Sequence, residues 1–358
     1  MIGKTMKYIA GLVFVTAGLF GTQVSVAQTL SVETILQNYL TQQELSGGIL
    51  QISSPDETLI AASGLADLSG NIAVTPQTRF YIASSGKVIV AAAILAFVQD
   101  GTLELDAPVW PLIRNIKNID RLENSNIVTL RQLLNHTSGL SDYLDDEFFY
   151  ASIEQPTKIW TPSEAIAFAI DYPSTDQPGR AFEYSNTNYV LLGHILAGIS
   201  GSLQNALEEK VFSVAGMGHS SVGKPQNASS LARGYVEETN RDVSELAWAS
   251  TLGDGAVITT VGDLEKFTLA LLRDNKIISA KLLAQMLTGS RADESYGLGI
   301  GVDGDEWGDW YGHAGSYEGF EADFRYYPDE QTVFIFVTNG NPLEDEPILD
   351  AAAAFYFE

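Results

Sequence analysis

Ser84-Ser85-Gly86-Lys87 places a hydroxyl and an amine three residues apart at the head of a long apolar stretch. On a helix, residues i and i+3 share a face, so Ser84 meets Lys87 while Ser85 points elsewhere. A serine hydroxyl is a weak nucleophile until a base takes its proton, and an uncharged amine held beside it can do so. The positive end of the helix dipole also favours the negative charge that builds on the serine oxygen. The pair suits acyl transfer through Ser84. Taken alone, the spacing is common, and an exposed helix-capping serine beside a solvated lysine accounts for most of its occurrences.

Two further groups change that weight. Tyr184-Ser185-Asn186 brings a phenol and an amide, and Gly312-His313-Ala314-Gly315, followed by Ser316, falls in a late strand region. With these three motifs in this order the sequence resembles the β-lactamase-related serine hydrolases, the family of class C β-lactamases, DD-carboxypeptidases, D-amino-acid peptidases and carboxylesterases. The resemblance runs from about Gly48 to Asn339. It includes Thr75-Pro76-Gln77-Thr78-Arg79-Phe80, Asp100-Gly101-Thr102-Leu103-Glu104-Leu105-Asp106, Leu133-Leu134-Asn135-His136-Thr137-Ser138-Gly139-Leu140, the run Pro178 to Asn186, and Gly253-Asp254-Gly255.

The resemblance implies roles. Ser84 would attack the substrate carbonyl and become acylated, with Lys87 and Tyr184 sharing the general-base and general-acid work. Asn186 would hydrogen-bond Lys87 and an acyl-side amide of the substrate. The backbone N–H groups of Ser84 and Ser316 would form an oxyanion hole, and Gly315 would let the strand lie close to the substrate. His313 stands where the motif usually has lysine. His136 falls in a segment that resembles the family's structural loop, which points to support rather than catalysis. The implied fold is α/β of the α+β type, the serine β-lactamase and penicillin-binding transpeptidase fold, with an antiparallel sheet flanked by helices and a mostly helical region.

The elements that must position these residues are legible in the periodicity. Val32 to Leu40 has helical spacing, and Gly48 to Ser53 and Leu59 to Ser63 read as strands joined by the turn Ser54-Pro55-Asp56-Glu57. From Ser84 a helix apolar on nearly every side runs to Gly101, which places it inside the fold. Residues from about Asp106 to Arg241 read as a mostly helical part that includes Leu130 to Leu134 and Tyr189 to Ile199. The α/β part is then about 28–105 and 242–358. Its second half holds strand signals at Gly297 to Val302, Asp309 to Gly312, Gly319 to Tyr327 and Val333 to Thr338, and a last helix from Ile348. Pocket walls are expected from Tyr143 to Trp160 and Leu231 to Trp248.

Composition bounds the rest. The 358 residues are 45% hydrophobic and 18% charged, enough apolar material for a sizeable core. Lys4 and Lys7, the uncharged apolar stretch from Tyr8, and Ser25-Val26-Ala27 have the layout of a secretory signal peptide cleaved after Ala27. An uncleaved anchor is the competing reading, weakened by Gln23 and Ser25. The expectation is export to the periplasm or beyond, with no stable membrane insertion after cleavage. Residues 28–358 form the catalytic domain and keep 18 basic against 45 acidic residues, a net charge of −27. Nucleic acid is a poor partner for such a surface. The acidic group Asp142, Asp145, Asp146 and Glu147 reads as solvated surface. The absence of cysteine excludes disulfides and thiolate sites. His194 on an apolar helix, His219 in a glycine-rich loop and the other histidines lack metal-ligand spacing, so no cofactor and no metal are implied.

The implied partner is a small-molecule ester, peptide or β-lactam-like substrate. Ala314 has no hydroxyl and His313 no permanent charge, which disfavours a carboxylate-bearing substrate. An esterase or a small-peptide or D-amino-acid peptidase is the favoured reading, with a β-lactamase or DD-carboxypeptidase as the alternative. A binding protein that keeps the penicillin-recognising fold without turnover is the alternative of another class.

Overall fold

Apolar residues at Ile49, Leu50 and Ile52 and the unbroken apolar run Val333 to Val337 put apolar side chains on both faces of their strands and require a sheet covered on both faces, and two separate apolar clusters supply the covers. A computed structural model describes residues 31–358 except 229, 237, 238, 345 and 346, so the leader read at residues 1–27 lies outside the described residues. Strands β1 (Gly47–Ser53), β2 (Thr58–Asp67) and β3 (Ile72–Ala73) open the chain's main sheet. The short strands β4 (Phe80–Tyr81), β5 (Ser221–Val222), β6 (Tyr235–Val236), β7 (Arg241–Asp242) and β8 (Val257–Thr259) follow. Strands β9 (Gly301–Asp305), β10 (Gly308–Tyr317), β11 (Phe320–Tyr327) and β12 (Thr332–Thr338) complete the main sheet.

The main sheet is antiparallel in the order β3-β2-β1-β12-β11-β10-β9, which brings the two ends of the described chain together at the β1–β12 pair. Leu50, Ile52, Phe334 and Phe336 face α1 (Val32–Gln42) and the C-terminal helix Ile348–Phe357. Ile49, Phe324, Ile335 and Val337 face the larger cluster, which contains α2 (Gly86–Gln99). Every residue of α2 from Gly86 to Phe97 is buried. Its uniform apolarity therefore marks it as the central helix, and its companion is the apolar helix Asn186–Ser200.

Two local differences from the sequence reading have backbone causes. Ser84 does not sit in the α-helix itself; Ala83–Ser85 form a 3-10 turn that leads into α2. Gly297 to Ile300 do not extend β9. The N–H of Leu298 donates to the Met286 carbonyl, that of Gly297 donates to the Ile300 carbonyl, and Gly299 has φ +84°, so a Gly-apolar alternation that mimics a strand is a bend. Among the described residues no single helix is long and apolar enough to cross a membrane.

Leu95 in α2 is fully buried. Leu95→Ala should lower the unfolding free energy by about 3 kcal/mol, in the usual range for a buried leucine truncated in a core that only partly collapses. Urea denaturation followed by circular dichroism measures it.

Candidate active site

The turn that carries Ser84 is fixed from both sides. The N–H of Ile82 donates to the Val257 carbonyl at 3.1 Å and that of Ser85 to the Ile82 carbonyl at 3.1 Å. Ala83 between them is left-handed at φ +44°, a conformation that costs a residue with a Cβ on the order of 1 kcal/mol and persists only where its surroundings enforce it. The Ser85 hydroxyl turns away and donates to the His313 carbonyl at 2.8 Å, tying the turn to β10. Ser84 is left facing Lys87, whose Nζ lies 2.9 Å from Ser84 Oγ.

Lys87 is wholly buried, and its three hydrogen-bonding directions are all used. Besides Ser84, Nζ donates to Asn186 Oδ1 at 2.9 Å and to the Asp254 carbonyl at 2.6 Å. The last two partners can only accept. An ammonium satisfies all three; a neutral amine keeps its two N–H bonds on Asn186 and Asp254 and must turn its lone pair to the Ser84 hydroxyl. The surroundings therefore accommodate both protonation states without moving an atom.

Residues that the motifs did not single out hold this arrangement. Asp142 accepts from Asn186 Nδ2 at 2.9 Å and from the Asn186 backbone N–H at 3.0 Å, which fixes the amide with Oδ1 toward Lys87. The reading of Asp142 as solvated surface is thus corrected: it is half-buried, and burial pushes its carboxyl up against the bonds from Leu144 and Asn186. Asp145 is the N-cap of helix Asp146–Glu154, and Asp146 and Glu147 are exposed. Asp254 presents its carbonyl because Gly253 lies against Gly193 of helix Asn186–Ser200; a Cβ on Gly253 would come within 2.4 Å of the Tyr189 carbonyl. The Asp254 side chain accepts from Tyr143 Oη at 2.7 Å through Oδ2, while Oδ1 is buried without a hydrogen-bond partner among the described residues. Burial pushes this carboxyl up, and the Lys87 charge opposes the shift.

Strand β10 closes the other side. A Cβ on Gly315 would lie 2.7 Å from the Ser84 nitrogen and 2.6 Å from that of Ser85, so only glycine lets the strand run this close to the turn. Ser316 follows, exposed, its hydroxyl 3.0 Å from Asn341 Nδ2. His313 bonds through Nδ1 to the Ala314 carbonyl, so Nδ1 carries the proton and Nε2 accepts from Tyr296 Oη at 2.9 Å. Burial and the Lys87 charge push His313 down to about 4. The residue in the usual lysine position is therefore a neutral imidazole at physiological pH. Tyr184 is half-buried with its ring centroid 5.1 Å from Lys87 Nζ and 6.4 Å from the His313 ring. Ser84, Lys87, Tyr184, Asn186, His313, Gly315 and Ser316 thus converge on one place.

A narrow cavity of about 50 Å³ opens beside Ser84 and Asn186, walled by Tyr81, Tyr143, Phe148, Trp160 and Tyr317. Of the two segments expected to wall it, Tyr143 to Trp160 supplies much of the lining, but Leu231 to Trp248 supplies, among the described residues, only Leu246. The segment Ala249 to Gly255 takes its place. Lys158 at the rim is committed to Glu164 at 3.2 Å and packs 3.6 Å over Trp160.

A family model described as beta-lactamase matches residues 32–356. The putative penicillin-binding protein PbpX of Bacillus subtilis is 27% identical over 308 residues, 85% of this chain and 73% of that protein. The crystal structure of a penicillin binding protein from Bacillus halodurans is similar with a TM-score of 0.76 at 26% identity, covering 92% of this chain and 99% of that one. D-amino acid amidase from Ochrobactrum anthropi SV3, complexed with L-phenylalanine amide, gives 0.74 at 25% identity over 90% and 95% of the two chains.

Two outcomes follow from this geometry. The imidazole signals of His136 and His313 should remain at neutral-form positions down to pH 5.5, since both are held below the usual histidine range; a midpoint near 6.5 for either contradicts the buried, hydrogen-bonded arrangement. Gly315→Ala must push β10 off the Ser84 turn, and a displacement near 1 Å at a reacting centre costs on the order of 100-fold in rate. Steady-state hydrolysis of an activated ester by the two proteins tests it.

Proposed function

Because the chain belongs to the beta-lactamase family over residues 32–356, we propose that it is an exported serine hydrolase that forms an acyl-enzyme on Ser84 and acts on esters or amides. The observation that carries this reading is the buried Lys87 with three fixed partners, one of them Ser84 Oγ. In the neutral form Lys87 takes the Ser84 proton as Oγ attacks the substrate carbonyl. The N–H groups of Ser84 and Ser316 receive the developing oxyanion, and collapse of the adduct expels the leaving group with a proton relayed through Lys87 and Tyr184. Water then attacks the ester on Ser84, its proton passing to the same pair, and the acid departs as Ser84 recovers its hydrogen. The leader at residues 1–27 supports export.

For the substrate, esters and small peptides or amides of D-amino acids are favoured over β-lactams and peptides with a free carboxylate. Neutral His313 and the methyl of Ala314 give a carboxylate neither charge nor hydroxyl, and a net charge of −25 repels anions at long range. The aromatic cavity beside Ser84 suits an apolar acyl side chain. The similarity to a D-amino acid amidase supports the same choice.

Ser84→Ala should abolish turnover of a short nitrophenyl ester and remove the acyl adduct that intact mass places on Ser84 in the parent. D-phenylalanine amide should be hydrolysed with a higher kcat/KM than a chromogenic cephalosporin. A parent protein that neither turns over nor acylates with ester, amide or β-lactam makes the binding-protein reading the better one.

A further inference from the structure

His136 is fully buried and left-handed at φ +52°, and four contacts join it to the segment that carries Tyr184. Its carbonyl accepts from the Glu183 N–H at 2.9 Å. Its Nδ1 faces the Ser185 N–H at 3.1 Å and Asn188 Nδ2 at 3.1 Å. Its ring stacks on the Tyr184 ring, centroids 4.1 Å apart and planes 24° from parallel. Asn188 Oδ1 is committed to the Ser138 hydroxyl at 2.6 Å, so the amide turns its N–H toward His136. Two donors converge on Nδ1, which must then be the unprotonated nitrogen, with the hydrogen on Nε2. That nitrogen is buried without a hydrogen-bond partner among the described residues, enclosed by the rings of Phe182, Tyr189 and Tyr296 with centroids 5.3 to 6.0 Å from the imidazole.

We infer that His136 is the positioning residue for Tyr184: it pins residues 183 and 185 on either side of the tyrosine and gives the phenol ring a fixed surface to lie on. Tyr184 itself is half-buried, and of its ring contacts the His136 stack at 4.1 Å is closer than those of Lys87, Tyr296 and His313 at 5.1, 6.3 and 6.4 Å, so the imidazole is the main surface against which the ring is held. A neutral imidazole serves where a charged one fails, because a proton on Nδ1 would oppose two donors and place a second positive charge near Lys87. The inference rests on the proposed use of Tyr184 in acyl transfer, but its geometric half is measurable without turnover.

Asparagine tolerates a left-handed backbone and keeps an acceptor, so His136→Asn removes the ring while sparing the fold. In tyrosine-labelled protein, the ring resonances lost in Tyr184→Phe should be shifted upfield in the parent by the imidazole and should return toward ordinary positions in His136→Asn. For a nitrophenyl ester, kcat should fall on the order of 10- to 100-fold with KM nearly unchanged. In a Tyr184→Phe background the same substitution should cost nothing further. If His136→Asn fails to fold, His136→Gln is read in the same cycle. Unmoved Tyr184 resonances overturn the inference whether or not the parent acylates. Additive losses in the double variant also overturn it, since His136 then acts by a route other than Tyr184. A parent that shows the stacked resonances yet never acylates refutes the proposed reaction and leaves the packing established.

Discussion

A lysine buried to the last atom with a serine hydroxyl as one of three partners is the constraint on which the rest of this molecule depends. Burying an amine without partners costs several kcal/mol, so each acceptor must be in place before α2 can close over it. The acceptors come from three separate parts of the chain: the turn before α2, the head of helix Asn186–Ser200, and the Gly253-Asp254-Gly255 segment. The antiparallel sheet and the apolar helix pair bring those parts to one point. The strain at Ala83 is one local cost of that convergence, and the β4–β8 and β10 contacts around the turn maintain it.

The same constraint explains why the sequence disclosed the reacting residues better than their supports. Ser84 and Lys87 are three apart on one short turn, and Tyr184 and Asn186 are two apart, so local spacing carries their geometry. Asp142 lies 44 positions from the Asn186 amide it fixes, and its run of acidic neighbours imitates a solvated surface. Asp254 serves Lys87 through its carbonyl, a group that every residue possesses; the glycines beside it were the visible trace. His136 was legible as support, but its partner was not, since stacking on Tyr184 has no sequence period. Likewise the alternation Gly297-Leu298-Gly299-Ile300 reads as a strand because periodicity records side-chain type and not where the N–H groups go. The main sheet and α2 were clear because burial on both faces, or all round, leaves no other arrangement for such apolar runs.

Charge around Lys87 is arranged with similar economy. Two carboxylates, Asp142 and Asp254, feel its field, and both are pushed toward the protonated form by burial. Two imidazoles, His136 and His313, are pushed toward the neutral form by burial and by the lysine itself. Each histidine has a hydrogen-bonding reason to stay neutral as well: Nδ1 of His136 faces two donors, and Nε2 of His313 accepts from Tyr296. Of these groups Lys87 alone bonds the Ser84 hydroxyl, and the histidines contribute shape and orientation in its vicinity.

Recognition must then come from sources other than positive charge. Strand β10 offers Gly315, which lets it run close to the Ser84 turn, a neutral His313 and the exposed hydroxyl of Ser316, and no cationic side chain. The wall opposite is aromatic and narrow. Such a cavity sorts acyl groups by fit, at about 1 to 3 kcal/mol per methylene, and is lenient toward changes that keep the shape. On the proposed reading, anions are disfavoured twice: locally by a neutral His313 and at long range by the acidic surface. Asp145, Asp146 and Glu318 line a second groove that shares Leu144, Ser316 and Tyr317 with the cavity. A neutral or cationic group in that groove meets no like charge from them, whereas an anion meets three acidic side chains.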